Sequence, residues 1–228
     1  MVSLEWLPLV WLRTAGVAFT LYVIMPRLSI DLKSISIKLK VSSIHVYYTM
    51  IAFWEFVTVC IIFYLLTINN LSLSTIGITG GLSLKAVIYV IAGVFISASL
   101  YPVVQAMCRF LRWNIFWHRR QDRNWFPKGI DYLNTKRKII SMFLIVVISI
   151  PILEEIIYRG YVFTALMQNF QSILPVFALT SIIFASIHCV AGPGSMIYIF
   201  LGTFMSSYLY WKFVNIYPCI TLHSFNTI

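Results

Sequence analysis

IISMFLIVVISIPILEEIIYRGYVFTAL, residues 139–166, is the stretch that decides how this chain is built. As a helix its 28 residues would run about 42 Å, enough to cross a hydrocarbon core of about 30 Å. It carries only three charges, Glu154, Glu155 and Arg159. Charged side chains at bilayer depth cost several kcal/mol each, so they turn toward a bundle interior or a wet cavity. On a helix Glu155 and Arg159 stand at i and i+4 and can pair. Glu154 points about 100° away from that pair, which leaves it free to meet another group. Two acids and one base in a greasy span read as a site rather than an anchor.

Working outward, the 228 residues are 60% hydrophobic and only 11% charged, with a mean hydropathy of +0.88. A soluble domain would carry about 25% charged residues. The apolar runs are long and lack the alternation of a barrel strand. The reading is an all-α, polytopic transmembrane bundle in one integral-membrane domain, residues 1–228. Six full spans are expected: Leu4–Met25, Ile44–Ile68, Lys85–Leu111, Ile139–Leu166, Pro175–Val190 and Ser195–Val214. Ile216–Ile228 adds a partial seventh, either truncated or continuing in a longer chain. Residues 1–111 form three N-terminal spans, 112–138 a basic loop, and 139–228 the part that carries the chemistry. Glu5 precedes the first apolar run and no small-residue cleavage site follows, so that run is read as a retained helix. There is no internal repeat.

The net charge of +10 is uneven, with nine basic residues between Arg109 and Lys138 and four more in the Pro26–Lys40 loop. The alternate loops, Asn69–Leu84 and Gln168–Leu174, carry no charge. The positive-inside rule makes the basic loops cytoplasmic and the N-terminus external. Attraction to anionic lipid accounts for the charge, and Trp113, Trp117 and Trp125 suit an interface, so the bilayer and not nucleic acid is the expected partner. Cys60, Cys108, Cys189 and Cys219 form no CxxC pair, which excludes a disulfide framework or zinc knuckle. Glu55, alone in its span, is expected to pair with Arg13 and fix helix packing. His45 and His118 receive no role.

Two further segments bring polar chemistry to apolar helices. Phe184 and His188 are i and i+4, so the ring can pack on the imidazole. His223 and Asn226, at i and i+3, share a face. Each alone reads as interhelical hydrogen-bonding. Together, carboxylates, an imidazole, and an imidazole with an amide make a hydrolytic set without a side-chain nucleophile. A carboxylate can act as general base, and hydrogen-bond donors stabilise a developing oxyanion by roughly 3–4 kcal/mol each.

The ordered motifs Glu154-Glu155-x-x-x-Arg159, Phe184-x-x-x-His188, Phe200-x-Gly202-x-x-x-Ser206 and His223-x-x-Asn226 resemble those of the CPBP family. This family comprises CAAX prenyl endopeptidases and bacteriocin-processing or self-immunity membrane proteins, and the resemblance covers roughly residues 139–228. It implies that Glu154 activates water with help from His188, that Glu155 and Arg159 form a supporting pair, and that His223 and Asn226 make the oxyanion hole. It also implies a polar cavity within the later helices and a membrane-associated peptide or protein substrate, prenylated or secreted. The small size and compact loops favour a bacterial plasma-membrane protein in peptide processing or immunity. The sequence departs from the family pattern in two places. The family spaces its last histidine and asparagine by four, whereas Asn226 is at three and Thr227 at four. Ser206 stands where a second glycine is usual.

Three alternatives have sequence support. Glu154, His188 and His223 match a known zinc ligand set, although no HExxH is present and no cofactor is the favoured reading. A non-catalytic scaffold or immunity protein would bind its partner through the helices and tolerate the altered last motif. A transporter would use intramembrane acids but should show repeated halves with broken helices, and none is visible.

Overall fold

The computed structural model describes residues 43–111, 136–188 and 192–227. The expected first span Leu4–Met25 with Arg13, the Pro26–Lys40 loop, residues 112–135 with their tryptophans and His118, and Cys189 lie outside the described residues.

Every regular element among the described residues is helical. Helix α1 is Ser43–Ile68. A 3-10 turn, Leu73–Ile76, follows in the uncharged loop. Helix α2, Leu84–Phe110, starts where Ser83 accepts a hydrogen bond from the Ala86 N–H at 3.2 Å, a side-chain cap for one of the orphan donors of a first turn. Helix α3 is one long rod of α-helical Lys136–Met142, π-helical Phe143–Ser149, α-helical Ile150–Glu155, π-helical Ile156–Phe163 and α-helical Thr164–Met167. Helix α4 is Ile173–Ser186, α5 is Pro193–Phe213 and α6 is Tyr217–Thr227.

The first widened turn of α3 lies just ahead of Pro151, which has no N–H to return to the preceding turn and whose ring crowds it. The Ser149 hydroxyl donates to the carbonyl of Leu144, five residues back, at 2.9 Å. The second widened turn carries Tyr158, Arg159 and Gly160, all buried. Such π segments recur at functional sites, because they rotate the side chains that follow relative to a regular helix.

Three helices are long and apolar enough to cross a membrane: Tyr48–Ile68, Leu84–Phe110 and Ile139–Met167. They match three of the expected spans to within a few residues. The expected count of six full spans and a partial seventh is therefore not reached among the described residues. Helix α4 has 14 residues and rises only about 21 Å, and α6, with 11 residues, is shorter still. Helix α5 has the length, at 21 residues, but buries Thr203, Ser206 and Ser207 and is not among the three. Helix α4 is apolar and falls short by length, whereas α5 has the length and turns polar side chains inward.

Helix α4 packs along α5, and α2 packs on both α5 and α6. Helix α3 runs through the centre, in contact with α1, α4 and α6. Its Ile157, Tyr158, Tyr161 and Val162 join Val176, Phe177 and Phe184 of α4, Leu209 and Tyr210 of α5, and Leu222 of α6 in one core. Outward-facing Phe53, Trp54 and Phe56 of α1 and Leu84, Ile88 and Phe95 of α2 are exposed, as expected of a surface whose solvent is lipid.

The uncharged loop locks onto the α5–α6 junction. Gly77, at φ 74°, takes a left-handed conformation that side-chain-bearing residues rarely adopt, and a Cβ there would lie 2.5 Å from the Tyr210 ring. The Gly77 carbonyl accepts the Ile216 N–H at 3.0 Å. The Asn215 amide donates to the Gly80 carbonyl at 3.0 Å, while its Oδ1 accepts the Tyr217 N–H at 2.9 Å. Asn215 thereby caps α6, the helix that carries His223 and Asn226. Gly160 lets α3 approach the same loop, since a Cβ there would stand 3.1 Å from the Ile76 carbonyl oxygen.

Candidate active site

Glu154, Glu155 and Arg159 are 5%, 0% and 1% exposed, so all three charges are buried. Arg159 Nη1 donates to Glu155 Oε1 at 2.9 Å, the local i, i+4 pair. Arg159 Nη2 donates to the Thr203 carbonyl of α5 at 3.4 Å. The guanidinium also lies over the Phe184 ring, 5.1 Å from its centroid, a cation–π contact strengthened by desolvation.

Glu154, about 100° round the helix from Glu155, meets a group on another helix, as its position allows. His223 of α6 joins the two acids: its Nδ1 lies 2.9 Å from Glu155 Oε1 and its Nε2 3.5 Å from Glu154 Oε2. Adjacent carboxylates can converge on one imidazole because its nitrogens point in different directions and the glutamate stems are long. Glu155 Oε1 thus receives both the guanidinium and the imidazole, while Glu154 has the longer contact. Glu155 Oε2 and Arg159 Nε are buried with no hydrogen-bond partner among the described residues. Such atoms are rare in packed cores and suit a place that receives a polar guest.

His188 stands at the end of α4. Its Nδ1 lies 3.1 Å from the Phe184 carbonyl. A carbonyl only accepts, so Nδ1 carries the proton and Nε2 keeps its lone pair. The anticipated ring packing is present, with centroids of Phe184 and His188 4.9 Å apart. Phe184 does more than this. Its ring also meets Tyr158 edge-on at 4.8 Å and His223 at 5.8 Å, so one aromatic ring abuts the arginine and both histidines.

A cavity of about 200 Å³ lies between α3, α4, α5 and α6, with Glu155, Arg159, His188, His223 and Asn226 in its wall; Glu154 does not line it and reaches it through His223. Gly202 and Ser206 of α5 also line it. No other side chain comes within 4 Å of where a Gly202 Cβ would be, so Gly202 leaves open space. Asn226 and Thr227 both reach the wall. The Thr227 hydroxyl, however, is turned back to the His223 carbonyl at 3.0 Å, which leaves Asn226 as the amide donor.

Among the described residues no group of three His, Cys, Asp or Glu side chains is arranged to hold a metal ion. Of the alternative zinc set, Glu154 and His223 meet, and His188 is bonded through Nδ1 to the Phe184 carbonyl, which leaves its Nε2 unengaged by that contact. Glu55 is buried as expected; its expected partner Arg13 is outside the described residues. His45 bonds the Ser141 hydroxyl at 2.6 Å and ties α1 to α3, a structural task.

Two contributors carried no sequence signal. Thr203 acts through its backbone carbonyl, which no residue type announces. Ser97 of α2, buried at 1%, accepts a hydrogen bond from Asn226 at 3.3 Å, yet it is one of several serines in a hydrophobic helix.

Among the described residues, the fold and the cavity define an all-helical integral membrane protein with a carboxylate–imidazole–amide cluster. Residues 136–228 match the family described as type II CAAX prenyl endopeptidase Rce1-like. The similarity covers this part of the chain and is consistent with the CAAX-type membrane endopeptidases of the CPBP group. No curated protein and no solved structure matches the chain.

Proposed function

We propose that the protein is an intramembrane endopeptidase that hydrolyses a peptide bond of a membrane-associated substrate with water activated by Glu154. The observation that carries this reading is that His223, in the wall of the cavity, bridges Glu155 of the same wall to Glu154 just behind it. Glu155 is committed to Arg159 and His223 at 2.9 Å each. Glu154, with only the 3.5 Å contact, is the carboxylate free to take a proton.

Water in the cavity attacks the scissile carbonyl carbon and gives a proton to Glu154, with the lone pair of His188 Nε2 orienting it. The carbonyl oxygen becomes an oxyanion that receives hydrogen bonds from His223 Nε2 and the Asn226 amide. As the C–N bond breaks, the proton on Glu154 passes to the leaving nitrogen, which departs as an amine beside a new carboxylate. Glu155 and Arg159 hold His223 in place.

The family match favours a prenylated C-terminus as the substrate over a bacteriocin, and the comparisons lend no support to bacteriocin processing or self-immunity. A zinc-dependent variant of the same hydrolysis would have to use Glu154, His188 and His223, and it predicts inactivation by a chelator and recovery with zinc.

The test compares membrane peptides by mass spectrometry in cells making the wild type or Glu154→Ala at matched levels. A C-terminal fragment or mature peptide seen only with the wild type supports proteolysis and identifies the substrate. Identical profiles with the biological phenotype intact in both would instead favour a scaffold that binds its partner through the helices.

A further inference from the structure

Ser97 stands outside the residues matched by the family, yet its side chain reaches the site. Gly93, Ser97 and Tyr101 follow one another at i, i+4 and i+8 along α2, so they share one face of that helix. Each meets α5 or α6. A Cβ on Gly93 would lie 3.1 Å from Leu222 and Met205, so α2 approaches both helices closely there. Ser97 Oγ accepts the Asn226 Nδ2–H at 3.3 Å. The Tyr101 ring meets Tyr198, a residue of the cavity wall, edge-on at 5.6 Å.

We propose that Ser97 is a positioning residue for hydrolysis, setting the direction of the Asn226 carboxamide. This rests on the endopeptidase reading above. Asn226 is near the end of a short helix and half in the open, where its terminal torsion is broad and nearly two-fold. The carboxamide has two N–H donors. A bond from one of them to a buried hydroxyl removes that freedom and aims the second into the cavity. The hydroxyl is itself held by the close packing of α2. The N-terminal part of the chain is thereby part of the active site, and the C-terminal segment matched by the family is incomplete without it.

The experiment uses the full chain in liposomes with a farnesylated peptide ending in a Cys-aliphatic-aliphatic-X sequence as probe. Ser97→Ala should lower kcat roughly ten- to a hundredfold, the scale of a misplaced catalytic group, with KM unchanged and with Ser97→Thr restoring most of the rate. In an Asn226→Ala background, Ser97→Ala should cost nothing further, because residues that act through one another are not additive. A full additional loss in that background, or a normal kcat for Ser97→Ala, overturns the assignment. A Ser97→Cys/Asn226→Cys pair tests the contact without any activity. An oxidative cross-link supports it, and none under conditions that cross-link a nearby control pair overturns it. If the wild type and Glu154→Gln both leave the probe intact, the endopeptidase reading fails for this substrate class. The positioning role then falls with it, even where the cross-link forms.

Discussion

Removing Arg159 while leaving Glu155 should be far more damaging than removing both. Arg159 is 1% exposed and Glu155 0%, so solvent gives little relief to either charge alone. In Arg159→Met the methionine fills much of the arginine's volume, but Glu155 loses its 2.9 Å partner and the Thr203 carbonyl loses a donor. Breaking a buried pair from one side costs about 3–5 kcal/mol. The lost cation–π contact with Phe184 adds about 1–2 kcal/mol. Glu155→Gln alone should cost less, since the amide still accepts from Arg159 and His223, although Arg159 keeps an uncompensated charge. In Glu155→Gln/Arg159→Met no unpaired charge remains, and the double variant should recover about 2–3 kcal/mol relative to the sum of the singles, in the range of measured couplings for contacting residues. The assay is equilibrium unfolding of the purified protein in mixed micelles, by titration with a denaturing detergent and far-UV circular dichroism. Additive single and double variants, or an Arg159→Met loss below about 1 kcal/mol, would refute the account. The pair would then be as weak as a surface ion pair, and the buried charge would be balanced elsewhere.

Glu154→Gln should leave the unfolding midpoint close to wild type, because Glu154 makes only the 3.5 Å contact. It should lower peptide cleavage by roughly 10²–10⁴-fold, the worth of a general base, as read by fragment yield. Gly160→Ala places a methyl 3.1 Å from the Ile76 carbonyl and should destabilise by about 1–3 kcal/mol, measured in the same titration. Gly77→Ala combines a positive φ with a 2.5 Å clash against Tyr210, whereas Gly80 has nothing within 4 Å. The first substitution should therefore lower the melting temperature and Gly80→Ala should not. Hydrolysis by glutamate-activated water should survive a membrane-permeant chelator, and rates before and after chelation, with zinc added back, decide this.

What the sequence made legible was local. The apolar runs placed α1, α2 and α3 to within a few residues, because hydropathy and length suffice for a helix facing lipid. Glu155–Arg159 and Phe184–His188 were legible because i, i+4 contacts are built into a helix. The convergence of Glu154 on His223 was not, since it joins positions 69 residues apart and depends on how α6 docks against α3. Helical-wheel logic gave Glu154 its own direction, about 100° from Glu155, but could not name the bridging ring that meets both. The span count is met only in part among the described residues, where α4 and α6 are short and the expected first span is not described. Ser97 and Thr203 were invisible for a simpler reason. Their part in the site is set by a partner that comes to them.

The cap on α6 gives that helix the mechanics of a lever. Its fulcrum is Asn215, pinned to the Gly80 carbonyl and the Tyr217 N–H, and His223 lies eight residues further on. At 1.5 Å per residue the arm is about 12 Å, so a tilt of about 5° at the fulcrum moves the imidazole by ~1 Å. A displacement of that size can slow a reaction about a hundredfold. The uncharged loop around Gly77 and Gly80 therefore trims the aim of an imidazole about 12 Å from the fulcrum. Variation there, far from any carboxylate, should surface in turnover before it surfaces in stability.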